Sequence, residues 1–375
     1  MPAPPPTVLQ VLPALGQGGV ERGTVEIARA IVEAGGRALV ASAGGPMVAE
    51  LEAVGARHLA LPLNRKNPVA LLAGAVALAR LVRAERVRIV HARSRFPAWS
   101  ALMAARATGA RYVTTYHGSY NEGFPGKRLY NSVMARGDRV IAISDYIAGL
   151  VRARHGVGPD RLRVIPRGVD PARFDPSAVE PARLAALRRA WGLPEGRPLI
   201  LMPARLTRWK GQAVLLCAVR MLDGPRPHIV LAGDDQGRAA YRAELEGLAA
   251  ESGATVRLPG PVADMPAALA LADIVIHAST DAEAFGRTVI EAQAMRRPVI
   301  ASDLGAPRET VEEGVTGWRV PPGDPAALAA AMSRVLSMPT EARDGVGRAA
   351  RAAVLERYTT RAMQDATLAV YRELA

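Results

Sequence analysis

Short apolar runs alternate with longer amphipathic stretches along the whole chain. Mostly apolar runs of four or five residues, without strict polar alternation, read as strands buried on both faces of a sheet. In the first half they fall at Val8–Leu12, Arg37–Ala41, Val87–His91, Arg111–Thr115, Arg139–Ile143 and Leu162–Ile165. In the second half they fall at Leu199–Met202, His228–Ala232, Thr255–Leu258, Ile274–His277 and Pro298–Ala301. Between them the pattern predicts helices: one from the loop Gly16-Gln17-Gly18-Gly19 to Ala34, one over Pro68–Arg83, and one over Thr288–Met295 that stops before Pro298. Strands joined through helices imply right-handed crossovers and parallel sheets, hence an α/β fold. The stretch Pro166–Pro176, rich in Pro, Gly and Asp, reads as a connection between two such units.

Composition narrows this picture. At 375 residues the chain suits two domains of ordinary size. Its one cysteine, Cys217, excludes an internal disulfide framework and a cysteine-based metal site. The start, Met-Pro-Ala-Pro-Pro-Pro, has no basic region and no apolar core, so it does not read as a secretory signal. The longest apolar stretch, Pro68–Ala79, is too short for a bilayer span of ~20 residues. The expected location is therefore the cytoplasm.

The net charge of +13 is almost all arginine, since the only lysines are Lys66, Lys127 and Lys210. All of it lies in residues 1–173, which carry 24 basic and 11 acidic side chains; residues 174–375 carry 24 of each. No nucleic-acid-binding module is recognisable.

The most informative segment is Glu283-Ala-Phe-Gly-Arg-Thr-Val-Ile-Glu291. Glu283 sits on the loop leaving the strand Ile274–His277, and Glu291 on the helix that follows. Open α/β sheets bind ligands at such strand ends. A second segment, Met202-Pro-Ala-Arg-Leu-Thr-Arg-Trp-Lys-Gly-Gln212, also leaves a strand and opens a helix. Arg205 and Lys210 there suit a concentrated phosphate charge, which wants cations and helix-start N–H groups. His117 in Thr-Thr-Tyr-His-Gly and His91 in Val-His-Ala-Arg93 stand at strand ends, His91 reading equally as structural or acceptor-facing. His277 reads as a core histidine, Ser144 as a helix N-cap or a ligand contact, and Asp234-Asp235 as a strand-end turn.

These segments resemble, in order and over nearly the whole chain, the retaining nucleotide-sugar glycosyltransferases of family 4. Glu283 to Glu291 matches the Glu-x7-Glu signature, Arg205 to Gly211 the Arg-x4-Lys-Gly phosphate clamp, and Ile165-Pro-Arg-Gly-Val-Asp170 the Pro-Asn-Gly-Val-Asp hinge, with Arg167 in place of Asn. The resemblance implies the GT-B fold: two Rossmann-like, doubly wound parallel-sheet domains facing a cleft. It implies an N-terminal acceptor domain over 1–173, a donor domain over 174–357, and a final helix over 358–375 that crosses back to the first domain. Tyr358 and Tyr371 would anchor that helix.

The resemblance also implies site roles. Gly18, Gly19, Arg205, Lys210, Glu283, Ala284, Phe285, Gly286 and Glu291 would bind the donor, with Glu291 on the ribose. Glu283, His117, Arg205 and Lys210 would carry the chemistry, and His91, Arg93 and Ser144 would face the acceptor. The donor is a nucleoside-diphosphate sugar, UDP- or GDP-linked, and no metal or other cofactor is required. Ala284 stands where Gly or Pro is common in the family. Eight arginines and one acid between Arg80 and Arg111 point to an anionic acceptor, a lipid-linked or lipopolysaccharide glycan, and to contact with an anionic membrane surface. The alternatives are a nucleotide-sugar epimerase or hydrolase on the same fold, and a non-catalytic nucleotide-sugar binder.

Overall fold

The apolar runs form two all-parallel sheets in the computed structural model, which describes residues 6–16 and 18–375. Gln17 of the glycine-rich loop and the start Met1–Pro5 lie outside the described residues. The chain divides into two compact units: one runs to Arg167 and adds Thr360–Ala375, the other is Gly168–Thr359.

The first unit has seven strands: β1 (Val8–Val11), β2 (Ala38–Ser42), β3 (Arg57–Ala60), β4 (Ile89–Ala92), β5 (Arg111–Tyr116), β6 (Arg139–Ala142) and β7 (Leu162–Val164). Their order is β3-β2-β1-β4-β5-β6-β7. Both faces are covered by helices, so the inner strands β1, β2 and β4 are buried along their whole length. Val8, Ile27, Ile31, Val40, Ile89, Val113 and Ile141 share one core with Met363, Leu368 and Tyr371 of the final helix, Thr360–Arg372. Each such side chain contributes ~1.5–3 kcal/mol by burial, enough for a 13-residue helix to dock. Gln364 adds a hydrogen bond from Nε2 to the Glu26 carbonyl at 2.8 Å.

The second unit has six strands: β8 (Leu199–Pro203), β9 (His228–Ala232), β10 (Val256–Gly260), β11 (Ile274–His277), β12 (Val299–Ser302) and β13 (Trp318–Val320). Their order is β10-β9-β8-β11-β12-β13. The core around Ile200, Leu215, Leu231, Ile276, Ile300 and Met332 lies against this sheet. Tyr358 belongs here, with its hydroxyl on the Glu309 carbonyl at 3.0 Å and its ring edge-on to Phe285.

Two strands escaped the sequence pattern. β3, Arg57-His-Leu-Ala60, opens on two polar residues at a half-exposed sheet edge, and β13 has only three residues, so neither makes an apolar run. In both units the strand order reverses once, between β1 and β4 and between β8 and β11. Neighbouring loops part at such a reversal, leaving a crevice at the strands' carboxyl ends.

Candidate functional site

The loops after β8 and β11 flank the reversal in the second unit, and they carry Lys210 and Glu283. Lys210 closes a short turn, Arg208–Lys210, before the helix Gln212–Arg220. Gly211 makes the close approach possible: its φ is +81°, and a Cβ there would collide with the Ala278 carbonyl of the other loop. Thr280 N donates to the Trp209 carbonyl at 2.8 Å, and the buried Gln212 donates from Nε2 to the Arg205 carbonyl at 2.8 Å. The two loops are thereby tied into one piece.

Glu283 is fixed by its own backbone. It bridges Gly305, Ala306 N donates to its carbonyl at 3.0 Å, and only a glycine at 305 leaves room for that approach. Three groups then meet at its side-chain Oε1. Lys210 Nζ forms an ion pair with it, Ser279 Oγ donates to it at 2.5 Å, and His277 Nε2 lies 2.7 Å away. The His277 N–H is not aligned on that oxygen, so this third contact is chiefly electrostatic. None of the three uses Oε2. Burial by itself pushes the Glu283 carboxyl up, but His277 and Lys210 outweigh it and hold the group well below the usual carboxylate range. The carboxylate stays ionised at neutral pH.

The remaining predicted residues of this unit are arranged around that pair. Phe285 is buried, and Gly286 (φ +81°) starts the helix Arg287–Ala294. Glu291 comes just past the first turn of that helix, with Arg287 Nε 3.8 Å from it. Arg205 is not drawn into the cluster: it is exposed, with its guanidinium 3.5 Å from Gln236. Asp234 and Asp235 each accept from a backbone N–H two residues on, the geometry of a turn. No group of three or more metal-ligating side chains occurs among the described residues.

The first unit gathers a different set at its own reversal. Helix Gly19–Glu33 follows β1 and has no side-chain cap, with Gly18 in extended backbone before it. Arg93 follows β4 directly and His117 follows β5. His91 is fully buried, with Nδ1 on the Tyr371 hydroxyl and Nε2 on Thr115 Oγ1, both at 2.7 Å. Both ring nitrogens are taken, so of its two readings the structural one describes it. Burial first, then Arg93 and Arg167, push His91 well below its ordinary value. Ser144 caps the helix Asp145–His155, accepting from Ile147 N at 3.1 Å.

His117 Nδ1 receives a hydrogen bond from Arg167 Nη2 at 2.6 Å. Burial, Arg167, Arg93 and His91 together keep this ring far below its ordinary value. Its loop is shaped by Tyr116 and Tyr120, whose rings are tilted against each other with centroids 4.4 Å apart, and Arg95 lies over Tyr120.

Sequence reasoning missed Ser279 and misjudged His277, which is buried but lies against Glu283 rather than in an ordinary core setting. Nothing in a serine or a strand-end histidine marks it as facing a carboxylate. Arg167 was visible only as a departure from the family's asparagine.

Comparisons with known proteins agree with this geometry. Residues 17–173 match the family model Glycosyltransferase Family 4, and residues 185–353 match Glycosyl transferases group 1. A crystal structure of a glycosyltransferase from Rickettsia africae ESF-5 is 35% identical, covers 98% of both chains and superposes with a TM-score of 0.92. HepE of Anabaena, solved with UDP-glucose, is 25% identical over 98% of this chain and 100% of its own, with a TM-score of 0.85. A D-inositol 3-phosphate glycosyltransferase of Salinispora arenicola is 36% identical over 216 residues, 54% of this chain and 48% of its own. The chain thus spans about half the length of the curated relatives it matches. With its two Rossmann-like parallel-sheet units, the chain belongs to the GT-B glycosyltransferases of family 4 and group 1.

Proposed function

We propose that this enzyme moves a hexosyl group from a UDP- or GDP-sugar to an acceptor hydroxyl with retained anomeric configuration and without a metal. The observation that carries this reading is the meeting of Lys210 and Glu283 at the switch point of the second sheet. When the glycosidic bond to the diphosphate breaks, negative charge grows on the β-phosphate and positive charge on the sugar ring. Lys210, with Arg205 reaching in from the exposed rim, stabilises the first. Glu283, held ionised, stabilises the second, and its Oε2 accepts from a sugar hydroxyl. The acceptor oxygen attacks the face the diphosphate is leaving, and its proton passes to the leaving phosphate. Glu291 holds the ribose, Ala284 to Gly286 line the sugar, and the second unit is the donor domain.

The first unit then binds the acceptor, with Gly18 and Gly19 near the donor phosphates and His117 at the reacting sugar. We read the acceptor as a lipid-linked cell-envelope glycan, lipopolysaccharide included, reached by peripheral contact with an anionic membrane. What supports this is one exposed stripe on the helix Pro68–Ala84. Val69, Leu72 and Val76 are 77%, 55% and 51% exposed, with Arg65, Lys66, Arg80 and Arg83 at its ends. No acid occurs between Glu52 and Glu85. Such a face suits the headgroup boundary of an anionic bilayer. Among the described residues no helix is long and apolar enough to cross a membrane.

The test is a thermal-shift screen against UDP, GDP, ADP, CMP and their sugars, with and without chelator, followed by transfer assays with the responding donor. A ligand at 100 times its Kd adds ~2.7 kcal/mol, or ~2–4 °C for domains of this size. Shifts with one diphosphate family, indifferent to chelator, support the reading, and NMR of the product's anomeric proton decides retention. Absence of a shift with every nucleotide overturns it.

A further inference from the structure

Arg93 is a buried guanidinium that forms no ion pair among the described residues. It is 2% exposed, Nη1 donates to Gln10 Oε1 at 3.0 Å, and Nε is buried without a partner. Glu21, Glu26 and Tyr371 act on it only through space, and burial lowers its pKa to about 10. Buried charges are ordinarily paired, so this arrangement is costly as it stands.

The neighbourhood adds donors. Arg167, also buried, lies beside it over the helix Gly19–Glu33: a Cβ on Gly23 would collide with Arg167 Nη1 and stand 3.0 Å from Arg93 Nη2. The glycine at this point lets two like charges share one site. His117 follows, with Nδ1 on Arg167 Nη2. A guanidinium has no lone pair to offer, so Nδ1 is bare and the ring proton sits on Nε2. That Nε2–H is buried and has no partner. Gln10 Oε1 is already taken by Arg93, and its Nε2 is spent on the Thr24 carbonyl. Arg93 Nε and His117 Nε2, both donors, are buried with no partner among the described residues. Arg93 and His117 follow β4 and β5 directly, and Gly23 lies on the helix after β1, at the end of the sheet where ligands bind.

We propose that Arg93, Arg167 and His117 form an oxyanion pocket that takes a phosphate or carboxylate group of the acceptor. Paired guanidinium forks match the oxygens of such a group in geometry and charge, and the His117 Nε2–H supplies a further donor. The pocket selects acceptors that carry an anionic substituent near the hydroxyl to be glycosylated. Only the word acceptor rests on the transferase reading; the oxyanion pocket itself does not.

The experiment titrates the full-length protein with inorganic phosphate at constant ionic strength, read by thermal shift and calorimetry. It compares wild type, Arg93→Met, Arg93→Lys and Lys210→Met. Wild type and Lys210→Met are expected to bind phosphate saturably, and Arg93→Met to bind it about 10-fold or more weakly. A circular dichroism spectrum matching wild type shows that Arg93→Met is folded, the first unit included. If it does not fold, Arg93→Lys decides, since a point charge without the fork must also weaken phosphate measurably. No phosphate response in wild type beyond that to chloride overturns the pocket, as does an undiminished response in the Arg93 variant that folds. Saturating UDP leaves the phosphate response in place if the pocket serves the acceptor; displacement by UDP overturns that assignment. A wild type that binds phosphate but no nucleotide sinks the transferase reading and leaves the pocket standing.

Discussion

Arg167 Nη2 donates to His117 Nδ1 at 2.6 Å, and this contact decides the chemistry left to the histidine. A ring whose Nδ1 faces a guanidinium cannot gain a second proton there, so His117 presents Nε2–H and acts as a hydrogen-bond donor rather than a base. Asparagine, the residue the family usually has at 167, imposes no such charge. We expect Arg167→Asn to raise the His117 pKa, bringing into the pH profile of kcat/KM an inflection that lies below the ordinary histidine value of about 6.5, because burial, the larger cause, still depresses the ring. The wild-type profile should lack it. Identical profiles would mean that Arg167 does not set the state of His117.

Acidification should weaken the fold in two windows. His91 and His117 are held neutral when folded, so below about pH 6.5 the unfolded chain binds protons that the native chain refuses. Stability therefore rises with pH in that range and is flat above it, each histidine contributing up to ~1.4 kcal/mol per pH unit. Glu283 adds a second loss below about pH 4.5, because its folded pKa is depressed and its stabilisation disappears as it is protonated. Denaturant titrations from pH 8 to 4 check this. A His117→Asn variant with an unreduced slope between pH 6.5 and 5 would count against it.

Glu283→Gln should lower transfer by ~10²-fold or more while changing UDP affinity little, since the amide keeps the shape but not the charge that the sugar ring meets. Lys210→Met should weaken UDP binding and lower stability measurably, because it removes the ammonium from the buried Glu283 and leaves it only Ser279 and His277. Equal loss of binding and turnover in Glu283→Gln would refute the division of roles.

Gly211→Ala tests the fit of the two donor loops. Its positive φ costs a non-glycine residue ~1–3 kcal/mol, and its Cβ has no room against the Ala278 carbonyl. We expect a clear fall in Tm and loss of the UDP-induced shift. A variant with unchanged Tm would show that the loops approach less closely than described.

Tyr371→Phe removes one hydroxyl, the partner of His91 Nδ1. Leaving that buried nitrogen unmatched should cost ~1–3 kcal/mol in urea denaturation, without altering UDP binding, since both residues belong to the first unit.

Much of this architecture is already present in local sequence. The apolar runs named eleven of the thirteen described strands within a residue or two, all nine inner ones among them, because an inner strand of a parallel sheet needs apolar side chains on both faces. β3 and β13 left no such trace, since an edge strand meets water and one of them has three residues. The segments around Lys210 and Glu283 were legible as motifs, because glycines, carboxylates and cations at fixed spacing persist in the sequence itself.

What the sequence alone could not determine is who meets whom. Lys210 and Glu283 are 73 residues apart and touch because β8 and β11 are neighbours in the sheet. His91 and Tyr371, separated by 280 residues, form a hydrogen bond that turns a candidate ligand contact into a core element. Arg167 faces His117 only once β5 and the chain beyond β7 are in place. The sequence by itself determined the secondary structure and the kinds of chemistry on offer, because both depend on near neighbours. The tertiary structure decided protonation, pairing and burial, because these depend on the electrostatics of groups that only the folded sheet order brings together.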